Sequence, residues 1–174
     1  MGLPQQQDPP APSTTEAQPS QSTSTTTTTP KDSAAAQQLP PEALALATKL
    51  FDFARQGATA ELSQYLSAGI PLNLTNHKGD TLLMLAAYYG HVPTVQMLLD
   101  KGADVNVLND RGQSPIAGAV FKGYDEVVRA MVQKGADLYA GQPNAVESAM
   151  MFRRYECLDM FGVDVEGRRV DGSS

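Results

Sequence analysis

The sequence has one cysteine, Cys157, and no tryptophan. A lone thiol cannot close an intramolecular disulfide, so this is no cystine-stapled domain, and a reducing compartment suits it. Cations are also few. Thirteen Lys and Arg face 19 Asp and Glu, for a formal net charge of −6. Phosphate contacts need clustered basic residues, and here they are scattered, so neither a nucleic acid nor a polybasic membrane contact is expected. No segment reaches the roughly 18 consecutive apolar residues that a bilayer span requires. The N-terminus lacks the basic and apolar regions of a secretory signal. Met1-Gly2-Leu3-Pro4-Gln5-Gln6 lacks the Ser or Thr that a myristoylation site carries at position six. The Arg residues of a mitochondrial presequence are missing too. The expectation is a cytoplasmic protein, with the nucleus open to it by diffusion.

Residues 1 to 40 are built from Gln, Pro, Ser, Thr and Ala, with an unbroken threonine run from Thr25 to Thr29. Leu3 and Leu39 are almost the only large aliphatics there. Such a segment buries too little apolar surface to offset an ordering cost of about 1–2 kcal/mol per residue. Disorder is expected, either as a plain spacer or as a phosphorylation target at Thr29 before Pro30. Pro41 then suits the first turn of a helix, where its missing N–H costs nothing. From Glu42 the apolar residues take helical spacing through Leu44, Leu46, Ala47, Leu50, Phe51 and Ala54, and the pattern stops at Gly57. A second, shorter helix with Leu62, Tyr65 and Leu66 inward stops at Gly69.

The glycines expose the organisation. Gly57, Gly90 and Gly123 stand 33 residues apart, as do Gly69, Gly102 and Gly135, and Gly79 and Gly112. Three glycine series at one period mark a repeat array of helix pairs. Within it, Thr81 and Ser114 stand where a helix needs a side-chain oxygen for its orphan N–H groups. Pro115 follows at the first helical position. Ala86-Ala87 lets paired helices approach closely. Val95, Leu98 and Leu99, with Val128, Met131 and Val132, form the apolar stripe between units. Asp104 and Asp137 suit backbone bonding in the outgoing turn.

These motifs resemble the ankyrin-repeat family over about residues 42–164. The resemblance is carried by His77 to His91, by Gly102-Ala103-Asp104, and by their partners Asp110 to Ile116 and Gly135-Ala136-Asp137. It is similar to the small stand-alone ankyrin proteins of fungi and bacteria. The resemblance implies an all-α solenoid of antiparallel helix pairs. A domain over residues 41–164 would comprise units at about 44–76, 77–109, 110–142 and 143–164, followed by a polar tail at 165–174. The outer units depart from the pattern, as capping repeats do. Thr48 stands in the N-cap register, although a helix should already run through it, and Ile70-Pro71 replaces Ala-Asp. In the last unit Ala145 and Glu156 replace expected glycines, and Gly162-Val163-Asp164 comes early, at 162 where the period puts the glycine at 168. Ala145–Phe152 is expected as a helix. Tyr155–Phe161 is expected as a shortened second helix, separate from the first or continuous with it.

The resemblance further implies no catalytic machinery and no cofactor, and protein recognition by turn tips and the exposed end of the first helix. By position, the tips offer His77, Lys78 and Asp80, then Asp110, Arg111 and Gln113. The helix ends offer Tyr88, Tyr89, Phe121 and Lys122. Less firmly aligned are Arg55 and Gln56 in the first unit and Arg154 and Tyr155 in the last. At 33-residue spacing these make two ladders, Arg55–Tyr88–Phe121–Arg154 and Gln56–Tyr89–Lys122–Tyr155. Aromatic and Arg side chains dominate interface energetics. Tyr88 and Phe121 have a second reading, in which they half-bury against the next unit and only pack.

The chemistry-bearing residues point elsewhere than catalysis. His91 follows Gly90 and reads as a structural hydrogen-bonder, His77 as a solvated tip residue. Two histidines and one cysteine without metal-ligand spacing make no zinc site. Cys157 reads as an inert helix residue, with a redox-sensitive thiol near Arg153 and Arg154 as the alternative. Asp159, Asp164 and Glu166 do not match a calcium loop. No phosphate loop or GxSxG elbow is present. The expected function is therefore a monomeric protein-binding module or adaptor. A dedicated chaperone or inhibitor of one client is the alternative, and a redox- or metal-responsive protein the remote one.

Overall fold

The computed structural model describes residues 40–170. The readings of the N-terminal tail, Thr29 included, fall outside those residues. So do those of residues 171–174. The described chain forms eight α-helices in four antiparallel pairs. They are α1 (Pro41–Gln56) with α2 (Thr59–Ser67), and α3 (Leu82–Tyr88) with α4 (Val92–Asp100). Next come α5 (Pro115–Lys122) with α6 (Asp125–Gln133), and α7 (Ala145–Met151) with α8 (Tyr155–Phe161). The first helices stack in one row, α3 between α1 and α5 and α5 between α3 and α7. The second helices stack in another, α4 between α2 and α6 and α6 between α4 and α8. Among the described residues the extended pairing amounts to two isolated bridges, Thr75 with Thr81 and Val163 with Arg169. The all-α solenoid that the family resemblance implies is thus the fold observed.

Local chemistry explains where the helices begin. Thr81 Oγ1 accepts the Met84 N–H at 3.1 Å and Ser114 Oγ the Ala117 N–H at 3.3 Å. Asn144 and Glu147 form a reciprocal capping box on α7. Each such cap contributes about 1 kcal/mol. Pro41 and Pro115 occupy first turns, where an N–H would be idle. Thr48 lies inside α1, and its hydroxyl donates to the Leu44 carbonyl at 2.9 Å, so the N-cap register of the inner units is overrun there by a continuous helix.

The core runs the length of the stack between the two helix rows. Leu50, Ala54, Leu62, Leu82, Ala86, Ala87, Val95, Leu98, Ile116, Val127, Val128 and Met131 have essentially no exposed surface. Burying a side chain such as Leu or Ile stabilises by about 1.5–3 kcal/mol, and all four units contribute to this one cluster. The outgoing turns add a polar ladder. The Asp104 N–H donates to Asn73 Oδ1 at 3.0 Å and the Asp137 N–H to Asn106 Oδ1 at 2.7 Å. Both aspartates also cap their own turns through Oδ1, accepting from the N–H groups of Asn106 and Tyr139.

The last unit keeps the packing but changes the register. The N-caps stand at Thr81, Ser114 and Asn144, so the final step is 30 residues where the previous one is 33. The three residues are missing from the turn between Asp137 and Asn144. Behind that turn the register moves forward by three as far as the start of α8, and Gly162 comes a further three residues early because α8 is shorter than α6. Arg153, at φ 53°, takes the left-handed position held by Gly90 and Gly123 in the inner units. Ala145 and Glu156 therefore do not stand in for glycines. Ala145 is the first residue of α7, and Glu156 lies in the first turn of α8. The break at Phe152–Arg154 makes α7 and α8 separate helices. Beyond Gly162 the chain forms a turn in which Asp164 Oδ1 accepts the N–H groups of Glu166 and Arg168, each at 2.9 Å. That is the bonding pattern of Asn76 and Asn109 in the inner tips. The carboxyl of Asp164 is held below its ordinary value, chiefly by the Arg168 backbone N–H.

Candidate functional site

Two kinds of element meet over the first-helix row. The tips at 76–80 and 109–113 lean across it from one side. Each is a tight turn closed by an asparagine. Asn76 Oδ1 accepts the N–H groups of Lys78 and Asp80, and Asn109 Oδ1 those of Arg111 and Gln113. The tips are tied to each other. Asn76 Nδ2 and Asn109 Nδ2 each donate to Asp80, at 3.1 and 2.9 Å, Asn109 Nδ2 also reaches Gln113 Oε1, and the Asp110 N–H donates to the Lys78 carbonyl at 3.0 Å. This lattice presets the positions of Lys78 and Arg111.

Opposite the tips lie the ends of α3, α5 and α7. Here five exposed apolar groups gather: Tyr88 is 39% exposed, Tyr89 48%, Phe121 45%, Met151 65% and Phe152 41%. Tyr88 leans toward Gly118 of the next unit and carries Lys122 Nζ 4.5 Å above its ring centroid. Phe121 meets Phe152 edge to face, with centroids 4.9 Å apart, and Tyr88 meets Tyr89 in the same way at 5.6 Å. Tyr88 and Phe121 thus pack against the next unit and stay partly exposed. Tips and helix ends together enclose a cleft of about 480 Å³, floored by Met84, Leu85, Ala117 and Ser148.

Of the residues singled out in the sequence, Arg55, Lys78, Asp80, Tyr88, Tyr89, Arg111, Gln113 and Phe121 line this cleft. Lys122 stands at its rim over Tyr88. His77 and Asp110 lie exposed on the tips, and Gln56 is exposed at the end of α1. Asp80 and Gln113 are engaged in the tip lattice, and Arg55 Nη1 is paired with Asp52 at 2.7 Å on its own helix.

Arg154 and Tyr155 are a correction. The 33-residue period assigns them to the helix end, but the shortened last turn brings Met151 and Phe152 there instead. The ladders read Arg55–Tyr88–Phe121–Met151 and Gln56–Tyr89–Lys122–Phe152. Arg154 and Tyr155 sit around a small separate hollow with Asp125 and Glu156. The Arg154 side chain lies over Gly123, as Tyr124 lies over Gly90 and His91 over Gly57. Also absent from the sequence reading are Asn76 and Asn109, the organisers of the tips. Their own 33-residue spacing was the signal that could have shown them.

The histidines and the cysteine take structural places. His91 Nε2 lies 2.6 Å from the Arg55 carbonyl, which can only accept, so this nitrogen carries the proton and ties α1 to the next unit. Cys157 is fully buried and its thiol donates to Asp125 Oδ1 at 3.4 Å. Burial first, and the neighbouring Asp125 carboxylate second, push the thiol pKa up to about 12. The thiolate that oxidation or metal ligation needs is therefore suppressed, against the redox alternative.

Known proteins share this architecture. The family model described as ankyrin repeats (3 copies) matches residues 50–142. The ankyrin repeat protein PA3287 of Pseudomonas aeruginosa is 52% identical over 60 residues, 34% of this chain. That stretch spans about a third of the relative's length, 35%. The crystal structure of the human ASB11 ankyrin repeat domain aligns at a TM-score of 0.56 with 25% identity, covering 64% of this chain and 51% of that one. No helix among the described residues is long and apolar enough to cross a membrane. With the glycine period, the capped helix pairs and a family match over more than half its length, the chain belongs to the ankyrin-repeat family.

Proposed function

We propose that this chain is a non-catalytic binding module, an adaptor that takes a partner protein into the cleft between its tips and first-helix ends. Ankyrin repeats are generally protein–protein interaction modules, and the finer reading rests on one observation. Five large apolar side chains, Tyr88, Tyr89, Phe121, Met151 and Phe152, are left partly open side by side on one face. Contiguous exposed apolar surface of this kind, rimmed by polar groups, is characteristic of interaction sites. Aromatic residues there are also the type that most often exceeds about 2 kcal/mol on truncation at an interface. The scaffold beneath fixes these positions, since α3 and α5 are each flanked by two units, α7 rests on α5, and each inner tip is closed by its asparagine.

The test compares wild type with Tyr88→Ala/Tyr89→Ala as bait in cell lysate, after circular dichroism shows equal helical content. A protein retained by wild type and lost by the variant supports the reading. The same proteins retained by both would place binding elsewhere. A single stoichiometric client whose activity changes on binding would favour the inhibitor or chaperone form.

A further inference from the structure

The cleft is cationic in an acidic protein. Four basic side chains, Arg55, Lys78, Arg111 and Lys122, line or rim it, whereas the whole chain carries −6. The acids near it are fewer. Asp52 is paired with Arg55, Asp80 keeps its charge while accepting from the neutral amides of Asn76 and Asn109, and Asp110 is exposed on the tip, its carboxylate lying over Gly79. Among the described residues the other ion pairs lie away from the cleft, at Lys134–Asp100 and around Arg168. Lys78, Arg111 and Lys122 thus have no carboxylate partner there.

Position sharpens this. Lys78 and Arg111 stand on the tip wall, and the aromatic and Met side chains form the opposite wall. An occupant complementary to both walls presents carboxylates along one edge and large apolar side chains along the other. We infer that the cleft selects an acidic, amphipathic segment of a partner protein; this deepens the binding-face reading above and rests on it. Lys122 serves both walls: its ammonium polarises the Tyr88 face and stays available to a carboxylate at the rim. A nucleic acid, the other polyanion with flat apolar groups, fits less well. Only three cations lack partners, and the net charge of −6 repels an extended phosphate chain beyond the cleft. A short acidic segment gains the local field without meeting the rest of the surface.

The experiment is selection of random displayed dodecapeptides on the full chain, followed by fluorescence anisotropy of the selected peptides at low and high salt. The result expected is enrichment in Asp or Glu together with Phe, Leu or Met. Affinity should fall about tenfold in Lys78→Glu/Arg111→Glu and weaken with salt. Exchanging the peptide's acids for Lys should restore binding to the reversed variant. Both substitutions sit on exposed tip positions, and circular dichroism checks the fold. Selected peptides without acids, or affinities untouched by the reversal, would overturn the acidic partner. If those peptides still weaken with Tyr88→Ala/Phe121→Ala, the cleft itself stands as the binding face. Peptides insensitive to both variants would overturn the cleft as well. A labelled oligouridylate that binds more tightly than any selected peptide, and is lost on the same reversal, would replace the protein partner with RNA. Failure to select any peptide would also count against the inference.

Discussion

The two inner units and the last one solve the same packing problem with different chain lengths. In the inner units an asparagine-closed tip precedes the N-cap, and glycine ends the first helix at positions 90 and 123. In the last unit the tip has lost three residues, the cap is a full capping box, and Arg153 holds the left-handed position at φ 53°. Yet α7 lies on α5 as α5 lies on α3. The difference teaches that helix-on-helix burial sets the spatial repeat, and that the tip length is free wherever no further unit must dock on it.

That comparison can be broken most forcefully in the core. Ile116→Ala, which empties a fully buried site on the helix between α3 and α7, should cost about 2–5 kcal/mol in urea unfolding. A cost below 1 kcal/mol would mean that the inner units do not share one cooperative core. Next in size is Gly90→Ala. The residue sits at φ 77° with the Tyr124 ring where a Cβ would go, so a loss of about 1–3 kcal/mol is expected. Arg153 offers the converse. Arg153→Gly relieves an L-residue of a left-handed conformation and should raise the melting temperature modestly, by about 1 kcal/mol of stability. If the variant instead lost stability, contacts of the Arg153 side chain would outweigh its backbone strain.

The smallest effect at neutral pH concerns Cys157. Its thiol is raised from 9.0 to about 12 in the folded chain, so the unfolded chain deprotonates first. The stability tied to the neutral thiol is complete below pH 9 and declines as the pH climbs from 9 toward 12. Wild type should therefore lose more stability across that window than Cys157→Ala does. Parallel pH profiles of the two would show that the thiol is not shielded.

Much of this was legible in the residues because it depends on local chemistry repeated at a fixed interval. The N-caps Thr81 and Ser114, the left-handed glycines and the apolar stripe each announce themselves within one turn of helix. The tip side of the candidate cleft was legible for the same reason, since Lys78 and Arg111 stand at fixed offsets from Gly79 and Gly112. The helix-end side was legible for three rungs and not the fourth. A 33-residue period extended past Asp137 points to Arg154 and Tyr155, and nothing local at those positions contradicts it. Asn144 with Glu147 is a capping box and could have reset the count.

The sequence by itself determined the repeat, the helix boundaries of the inner units and the all-α class, because capping, glycine backbone freedom and apolar spacing act over a few residues. Only the tertiary structure decided which side chains share the cleft. Met151 and Phe152 reach it because α7 packs on α5 where burial is best, whatever the residue count. Asp80 is drawn into the tip lattice because Asn109 of the next unit arrives beside it. Both are contacts between units, and the free energy that places them comes from surfaces more than 25 residues apart in the chain.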